Sequence, residues 1–471
     1  MNTQPYGGSS AAPPHASSHR HSISLGEAFR VWLKIGLTSF GGPAGQIALM
    51  HKVLVEEKRW VGENRFLHAL NYCMLLPGPE AQQLAVYIGW LLHGTLGGLI
   101  AGILFVLPGA LVILLFSILY AGFHDLTLVQ AIFFGIKPAV LAVVIEAVLR
   151  IGKRALKNAY MYSIAGSAFF GLFFMNLPFP LIIASAGLIG YIGGQLKPDS
   201  FVVIKGHSPQ STHQTPVIDT LLDAALPDHV RPSFSRSVKV LTLSLILWFG
   251  PLLAIAIGLG TRNVYFQEGW FFSKMAVVTF GGAYAVLSYV AQTAVESFHW
   301  LTPGEMLDGL GLAETTPGPL ILVLQFVGFL AAFRNPGALD PMLAGVLGAT
   351  ITIWMTFVPC FLWIFLGAPY IETVRGNQSL SSVLSAITAA VVGVVLNLAV
   401  WFGLHTIFAE ARETLLPLGL KLSLPVWHSI HWPIFILAIG ASLAMLRFKV
   451  GMIPTLAACA AVGAIYFFIN G

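Results

Sequence analysis

Two stretches of this chain, Lys34 to Pro79 and Lys274 to Pro319, follow one pattern at a constant offset of 240 positions. Lys34, Phe40, Gly41, Gly42, Val55, Glu56, Trp60, Leu67, Leu70, Pro77, Gly78 and Pro79 recur as Lys274, Phe280, Gly281, Gly282, Val295, Glu296, Trp300, Leu307, Leu310, Pro317, Gly318 and Pro319. These 12 identities over 46 gapless positions fall on glycine, proline, tryptophan and charge, which an apolar composition alone would not place in register. The chain is a duplication. Its repeated marks, Phe-Gly-Gly and Pro-Gly-Pro, are helix breakers inside apolar sequence, and paired interrupted segments in two halves of a membrane protein point to a transport site.

The composition fixes the solvent. With 56% hydrophobic and 10% charged residues and a mean hydropathy of +0.80, the chain is far from the roughly one-quarter charged content of a soluble domain. The expected fold is an all-α polytopic membrane protein of about 13 hydrophobic segments, taking a span as about 20 apolar residues. Uninterrupted stretches lie near 95–121, 127–149, 157–177, 178–196, 237–260, 339–369, 381–404, 431–446 and 450–469. Four more, near 27–57, 64–93, 268–295 and 304–332, contain the repeated breakers.

Cys73, Cys360 and Cys459 sit singly in apolar segments, so neither a disulfide framework nor a metal site is expected. The tail 1–24 is polar, has no apolar core and reads as a disordered cytoplasmic segment. Its His15, His19 and His21 fit disorder better than metal binding. Residues 197–236, with Pro198, Pro209, Pro216, Pro227 and Pro232, form a linker between a first repeat at 25–196 and a second at 264–471. One connecting span, 237–260, has no counterpart in the first half, and an odd number of crossings between repeats inverts the second copy. Beyond Pro79 the register continues at an offset of 251. Pro108 meets Pro359, Gly152 meets Gly403, Lys137 meets Thr388 and Glu146 meets Asn397.

Lys and Arg in short connections mark the cytoplasmic side. Arg150, Lys153, Arg154 and Lys157 form one such group and Arg447 with Lys449 another. This leaves the N-terminus and linker cytoplasmic and the C-terminus periplasmic. Lys52, Lys58, Arg59 and Arg65 would then lie outside if each broken segment crossed once. They stay inside if each segment dips in and returns at its breaker, so re-entrant hairpins are expected over kinked full spans.

The breakers carry the candidate chemistry. Phe40-Gly41-Gly42-Pro43 frees the amides of Ala44, Gly45 and Gln46, and Pro77-Gly78-Pro79 frees those of Glu80, Ala81 and Gln82. A helix N-terminus with proline in its first turn offers several N–H donors and about half a positive charge, so it binds anions without a basic side chain. The matching second-copy amides belong to Ala283, Tyr284 and Ala285, and to Leu320, Ile321 and Leu322. The competing reading is that the breakers only kink helices for packing. Lys34 and Lys274 each precede a Phe-Gly-Gly, as anion partners or as cations snorkelling to the interface. Glu80 is a helix cap or a proton-coupling carboxylate, with Glu314 the nearest acid in the second copy. Ser39, Asn71, Gln82 and Thr316 supply neutral hydrogen bonds beside the breaks, together with Gly281, Gly282, Pro317 and Gly318 of the second copy. Trp60 and Trp300 read as interfacial anchors.

Two motifs, GLTSFGGPAGQ at Gly36 to Gln46 and LLPGPEAQQLAVY at Leu75 to Tyr87, closely resemble the chromate transporter family of bacterial and archaeal inner membranes. TFGG at 279–282 and TPGP at 316–319 resemble the C-terminal half of its long, two-domain members. The resemblance implies export of chromate from the cytoplasm across the inner membrane, giving chromate resistance, with sulfate as a chemically similar competitor. It places the motif residues at Phe40, Gly41, Gly42, Pro43, Gly45 and Gln46, and at Pro77, Gly78, Pro79, Glu80 and Gln82. The second copy departs from the first, with Ala283 for Pro43, Val286 for Gln46 and Leu320 for Glu80, so most anion contacts are expected in the first. The partners expected are chromate, sulfate and the lipid bilayer, with no cofactor, metal or nucleic acid; a homodimer is one candidate assembly. Sulfate or another tetrahedral oxyanion as the principal substrate is the alternative. An intramembrane enzyme is the third reading, against which no H-E-x-x-H, G-x-S-x-G or P-loop pattern occurs.

Overall fold

A computed structural model of the chain describes residues 23–123, 126–201, 218, 229–280, 282–371, 378–415 and 421–470. The histidine-rich tail, Gly281 and most of the 197–236 linker lie outside the described residues. The first copy starts with α1 (Leu25–Thr38), capped by Ser24, whose hydroxyl accepts from the Glu27 amide at 3.1 Å. α2 (Gly42–His51) runs on through a π-helical turn, Lys52–Glu57, and α3 (Glu63–Cys73) follows. α4 (Glu80–Phe123) is two arms that reverse at His93 and Gly94. Gly94 has φ 62°, a left-handed conformation that glycine adopts without a Cβ clash. The arms pack so closely that a Cβ on Gly97 would lie 2.2 Å from the Gly89 carbonyl oxygen.

The broken segments double back at their breakers. Lys58 Nζ lies 2.9 Å from Glu27 Oε1, joining the start of α1 to the end of the α2 turn. His93 Nε2 lies 2.8 Å from the Ile23 carbonyl, so the first arm of α4 returns to the level where α1 begins. The second copy repeats the plan in α9 (Val264–Val278), α10 (Ala283–Gln292, continued by a π turn Thr293–Ser297), α11 (Pro303–Thr315) and α12 (Val323–Arg334). Phe271, midway along α9, packs its ring 5.8 Å from that of Trp300 beyond α10. Arg334 at the end of α12 donates to the Trp300 carbonyl at 2.8 Å and pairs with Glu305 at the start of α11.

Between and after the hairpins run α5 (Thr127–Ala155), α6 (Ala159–Phe173), α7 (Phe179–Leu196), the connecting α8 (Phe234–Leu259), α13 (Pro341–Gly367), α14 (Gln378–Ile407), α15 (Trp432–Leu446) and α16 (Met452–Asn470). Among the described residues seven helices are long and apolar enough to cross a membrane. The second arm of α4 and α13 run antiparallel. Gly98 meets Phe365, Gly102 meets Phe361 and Gly122 meets Met342, each within van der Waals reach of a Cβ built on the glycine. The mouth of the first copy's hairpins, near Gly94, is therefore at the opposite end of the molecule from that of the second, near Met342. The copies are also interlocked, since α14 packs against α6 and α7 while α5 packs against α15 and α16.

Two features differ from the sequence reading. Trp60 and Trp300 are buried; Trp300 stacks on Phe298 at 4.3 Å and serves the packing between hairpin arms instead of an interface. After α14 the chain forms a short antiparallel ribbon, β1 (Ala411–Leu415) with β2 (Lys421–Pro425), pairing Arg412 with Leu424 and Thr414 with Leu422. The polar run at 409–414 keeps this piece out of the apolar spans, and its ladder satisfies backbone groups that no helix there accepts.

Candidate functional site

The four breaks meet in two reciprocal pairs. The Gly78 N–H donates to the Thr279 carbonyl at 2.8 Å, and the Gly318 N–H donates to the Ser39 carbonyl at 2.8 Å. Thr279 is the repeat counterpart of Ser39 and Gly318 that of Gly78, so each Pro-Gly-Pro is fastened to the Phe-Gly-Gly turn of the other copy. The turns require glycine. Gly41, Gly42, Gly78, Gly282 and Gly318 have φ of 86°, 68°, 124°, 96° and 94°, where a Cβ is strained. The backbone comes close as well: a Cβ on Gly109 of α4 would lie 2.1 Å from the Pro317 carbonyl oxygen. In the other half Cys360 takes the place of Gly109, and its Sγ lies 2.9 Å from where a Gly78 Cβ would be.

Side chains complete the junction unequally. Gln46 is buried and its Nε2 donates to the Gly318 carbonyl, a bond that Val286 cannot make in the second copy. Gln83 Nε2 donates to the Pro77 carbonyl at 2.8 Å. Gln82 is fully buried, and neither of its amide atoms has a hydrogen-bond partner among the described residues. The Ser39 hydroxyl donates back to the Ile35 carbonyl and the Thr316 hydroxyl to the Leu312 carbonyl, both at 2.6 Å. A hydroxyl has one proton, so these two groups turn only lone pairs toward the break.

The N–H donors left at the break are therefore backbone amides at the starts of α2 and α4: Ala44 and Gly45 after Pro43, and Glu80, Ala81 and Gln82 after Pro79. The second-copy starts are partly closed on themselves. Ala285 N–H bonds the Gly282 carbonyl at 3.3 Å, and the chain after Pro319 winds as a 3-10 turn, Leu320–Leu322, in which Leu322 N–H bonds the Pro319 carbonyl at 2.9 Å. Of the matching second-copy amides, those of Ala285 and Leu322 are therefore taken within their own turns.

The lysines lie elsewhere. Lys34 has a side chain 63% exposed and 4.0 Å from Glu57, and Lys274 is exposed with Nζ 5.7 Å above the Trp270 ring. The buried face of α1 is Ala28, Val31, Trp32 and Ile35; Lys34, next to Ile35, is turned about 100° from it. Asn71 is exposed for the same reason, since α3 buries Phe66, Ala69, Tyr72 and Cys73. Glu314 is buried and accepts from the Tyr284 hydroxyl. Glu80 is half-buried. Sequence places Arg150 and Arg154 in a short connection because the apolar run ends at Leu149. The signal was the spacing of Glu146, Arg150 and Arg154, one turn apart, which continues α5 to Ala155.

Accessibility separates the copies. Phe40, Gly41 and Ala44 at the first break are exposed, whereas Ala283 to Leu287 at the second are buried. α10 is packed on α14 and α11 on α5 and α14.

A family model described as chromate transporter matches residues 26–191 and again 266–464. The two matches begin 240 residues apart, the offset of the repeat. The chain is 30% identical to a chromate transport protein of Pseudomonas aeruginosa over 79% of its length and 80% of that protein. It is 26% identical to a probable chromate transport protein of Synechococcus elongatus, over 82% and 86%, and 26% identical to a chromate transport protein of Cupriavidus metallidurans, over 79% and 81%. No solved structure matches significantly. Two family matches on two interlocked repeats establish that the chain belongs to the chromate transporter family.

Proposed function

We propose that this protein is a secondary transporter that exports chromate from the cytoplasm across the inner membrane and so confers chromate resistance. The observation that carries the reading is the reciprocal fastening of the breaks, Gly78 to Thr279 and Gly318 to Ser39. It gathers helix starts from opposed hairpins at one place. Chromate is a tetrahedral dianion with four acceptor oxygens, which suits a cradle of N–H donors. The turn before α2 is exposed at Phe40, Gly41 and Ala44 while the second copy's turn is buried, as expected of one state in an alternating-access cycle. With Lys and Arg marking the cytoplasmic side, the open mouth faces the cytoplasm, from which an exporter loads.

Outward movement of a dianion is favoured by an inside-negative potential, at about 2.3 kcal/mol per charge per 100 mV. Export therefore needs no coupled ion. The test is release of radiolabelled chromate from proteoliposomes with an imposed potential. Efflux should accelerate when the interior is negative and slow when unlabelled sulfate competes. Leakage equal to that of protein-free liposomes would overturn the reading, and movement of sulfate without chromate would reassign the substrate.

A further inference from the structure

An amide cradle neutralises only part of a dianion, and neither lysine of the repeat reaches it. We infer that Arg150 and Arg154 of α5 are the cationic contacts of the transported oxyanion, an assignment that rests on the anion-transport reading above. α5 runs from the second copy's mouth, where Lys137 lies 3.5 Å from Asp308, toward the first copy's mouth, and its last turns carry the two arginines. They are four residues apart and share a helix face. Long side chains on a helix lean toward its N-terminus, here inward to the depth of the breaks. Arg154 Nη2 lies 3.9 Å from the Met74 sulfur, at the tip of the first copy's second hairpin, in the turn that leads to Glu80 at the start of α4. Arg150 lies one turn earlier on α5, the helix that packs against α11 of the second copy. Two neighbouring guanidinium groups thus stand on a helix that touches the tip of one copy and packs on a hairpin arm of the other.

They are also available. The Arg150 side chain is 44% exposed, Arg154 is exposed, and Arg150 Nη1 is 3.7 Å from Glu146 Oε1, longer than a hydrogen bond. Each guanidinium has five N–H donors in a planar fork that matches two oxygens of an oxyanion. Gln82, buried without a partner two residues beyond Glu80, supplies a further amide at the same helix start. The repeat counterparts of the arginines are Trp401 and His405, so the first half alone brings these fixed cations, in line with its more open amides.

The test is equilibrium binding of radiolabelled chromate to the purified full-length protein. Arg150→Gln and Arg154→Gln should each weaken binding tenfold or more, and Arg150→Lys, which keeps the charge but not the fork, should weaken it less. Arg447→Gln, which removes an exposed cation elsewhere, should bind as wild type. Wild-type affinity in both glutamine variants overturns the assignment. If the wild type binds no chromate, the chromate reading falls, and radiosulfate carries the same comparison of variants. Where a glutamine variant does not purify as a folded protein, arginine modification of the wild type by phenylglyoxal decides: chromate should shield Arg150 and Arg154, and equal modification with and without it overturns the assignment.

Discussion

Replacing Gly109 by alanine tests whether the reciprocal junction holds the two copies together. The added Cβ would lie 2.1 Å from the Pro317 carbonyl oxygen and 2.6 Å from Leu322 Cδ1, and ordinary contact begins at 3.4 Å. α4 and the Pro317–Gly318 turn must therefore part by more than an ångström. That movement falls on the Gly318 to Ser39 hydrogen bond, 2.8 Å long, which has no slack to absorb it. Overpacking of this kind costs about 1–3 kcal/mol and loss of the bond about 1 kcal/mol more. Against this, alanine improves a helix interior over glycine by up to about 1 kcal/mol. The net expectation is destabilisation of about 1–3 kcal/mol, read as a lowered melting temperature in detergent, with slowed chromate transport. Gly26→Ala in α1, where nothing lies within 4 Å of the new Cβ, isolates the propensity effect and should melt at or slightly above the wild type. If Gly109→Ala melted with it, the close approach would not constrain the junction.

Other consequences follow from the same geometry. Gln46→Val copies the second copy's Val286 and leaves the buried Gly318 carbonyl without its side-chain partner, which should cost about 1–3 kcal/mol; an unchanged melting temperature would show that this bond contributes nothing. The open first break and closed second one predict that Ala44→Cys reacts with a polar maleimide while Ala285→Cys is protected, over a low background because Cys73, Cys360 and Cys459 are buried. Equal labelling would refute the difference in access. The Lys58–Glu27 pair at the hairpin mouth is partly exposed on both sides, so Glu27→Gln should change stability by less than about 1 kcal/mol; a larger loss would mean that the pair is shielded from solvent.

How far the sequence led is decided by which groups carry the structure. Breakers are legible because glycine tolerates φ of 68° or 124° without a Cβ clash and proline stops a helix; Gly42 and Gly78 recur in register as Gly282 and Gly318, and the doubling back follows from the charges at Lys52 to Arg65. What those breakers do to each other was not legible. The bonds from Gly78 to Thr279 and from Gly318 to Ser39 join main-chain atoms, which leave no mark on side-chain identity. The lysines mislead for the converse reason: identity at Lys34 and Lys274 is visible, but the helix face that carries it is set by which neighbours pack, Ile35 on one helix and Met275 on the other. The arginines of α5 were hidden by hydropathy itself, since a window that ends a span at the first charge cannot see that the helix continues to Ala155. An inverted duplication begins with two equal cradles. Here the bonds between backbones remain reciprocal while Gln46, Glu80, Arg150 and Arg154 occur in one half only, so the recognition proposed above falls in the first copy while the fastening is shared by both. A junction made of main-chain bonds permits that division, because side chains can change around it without breaking the fastening.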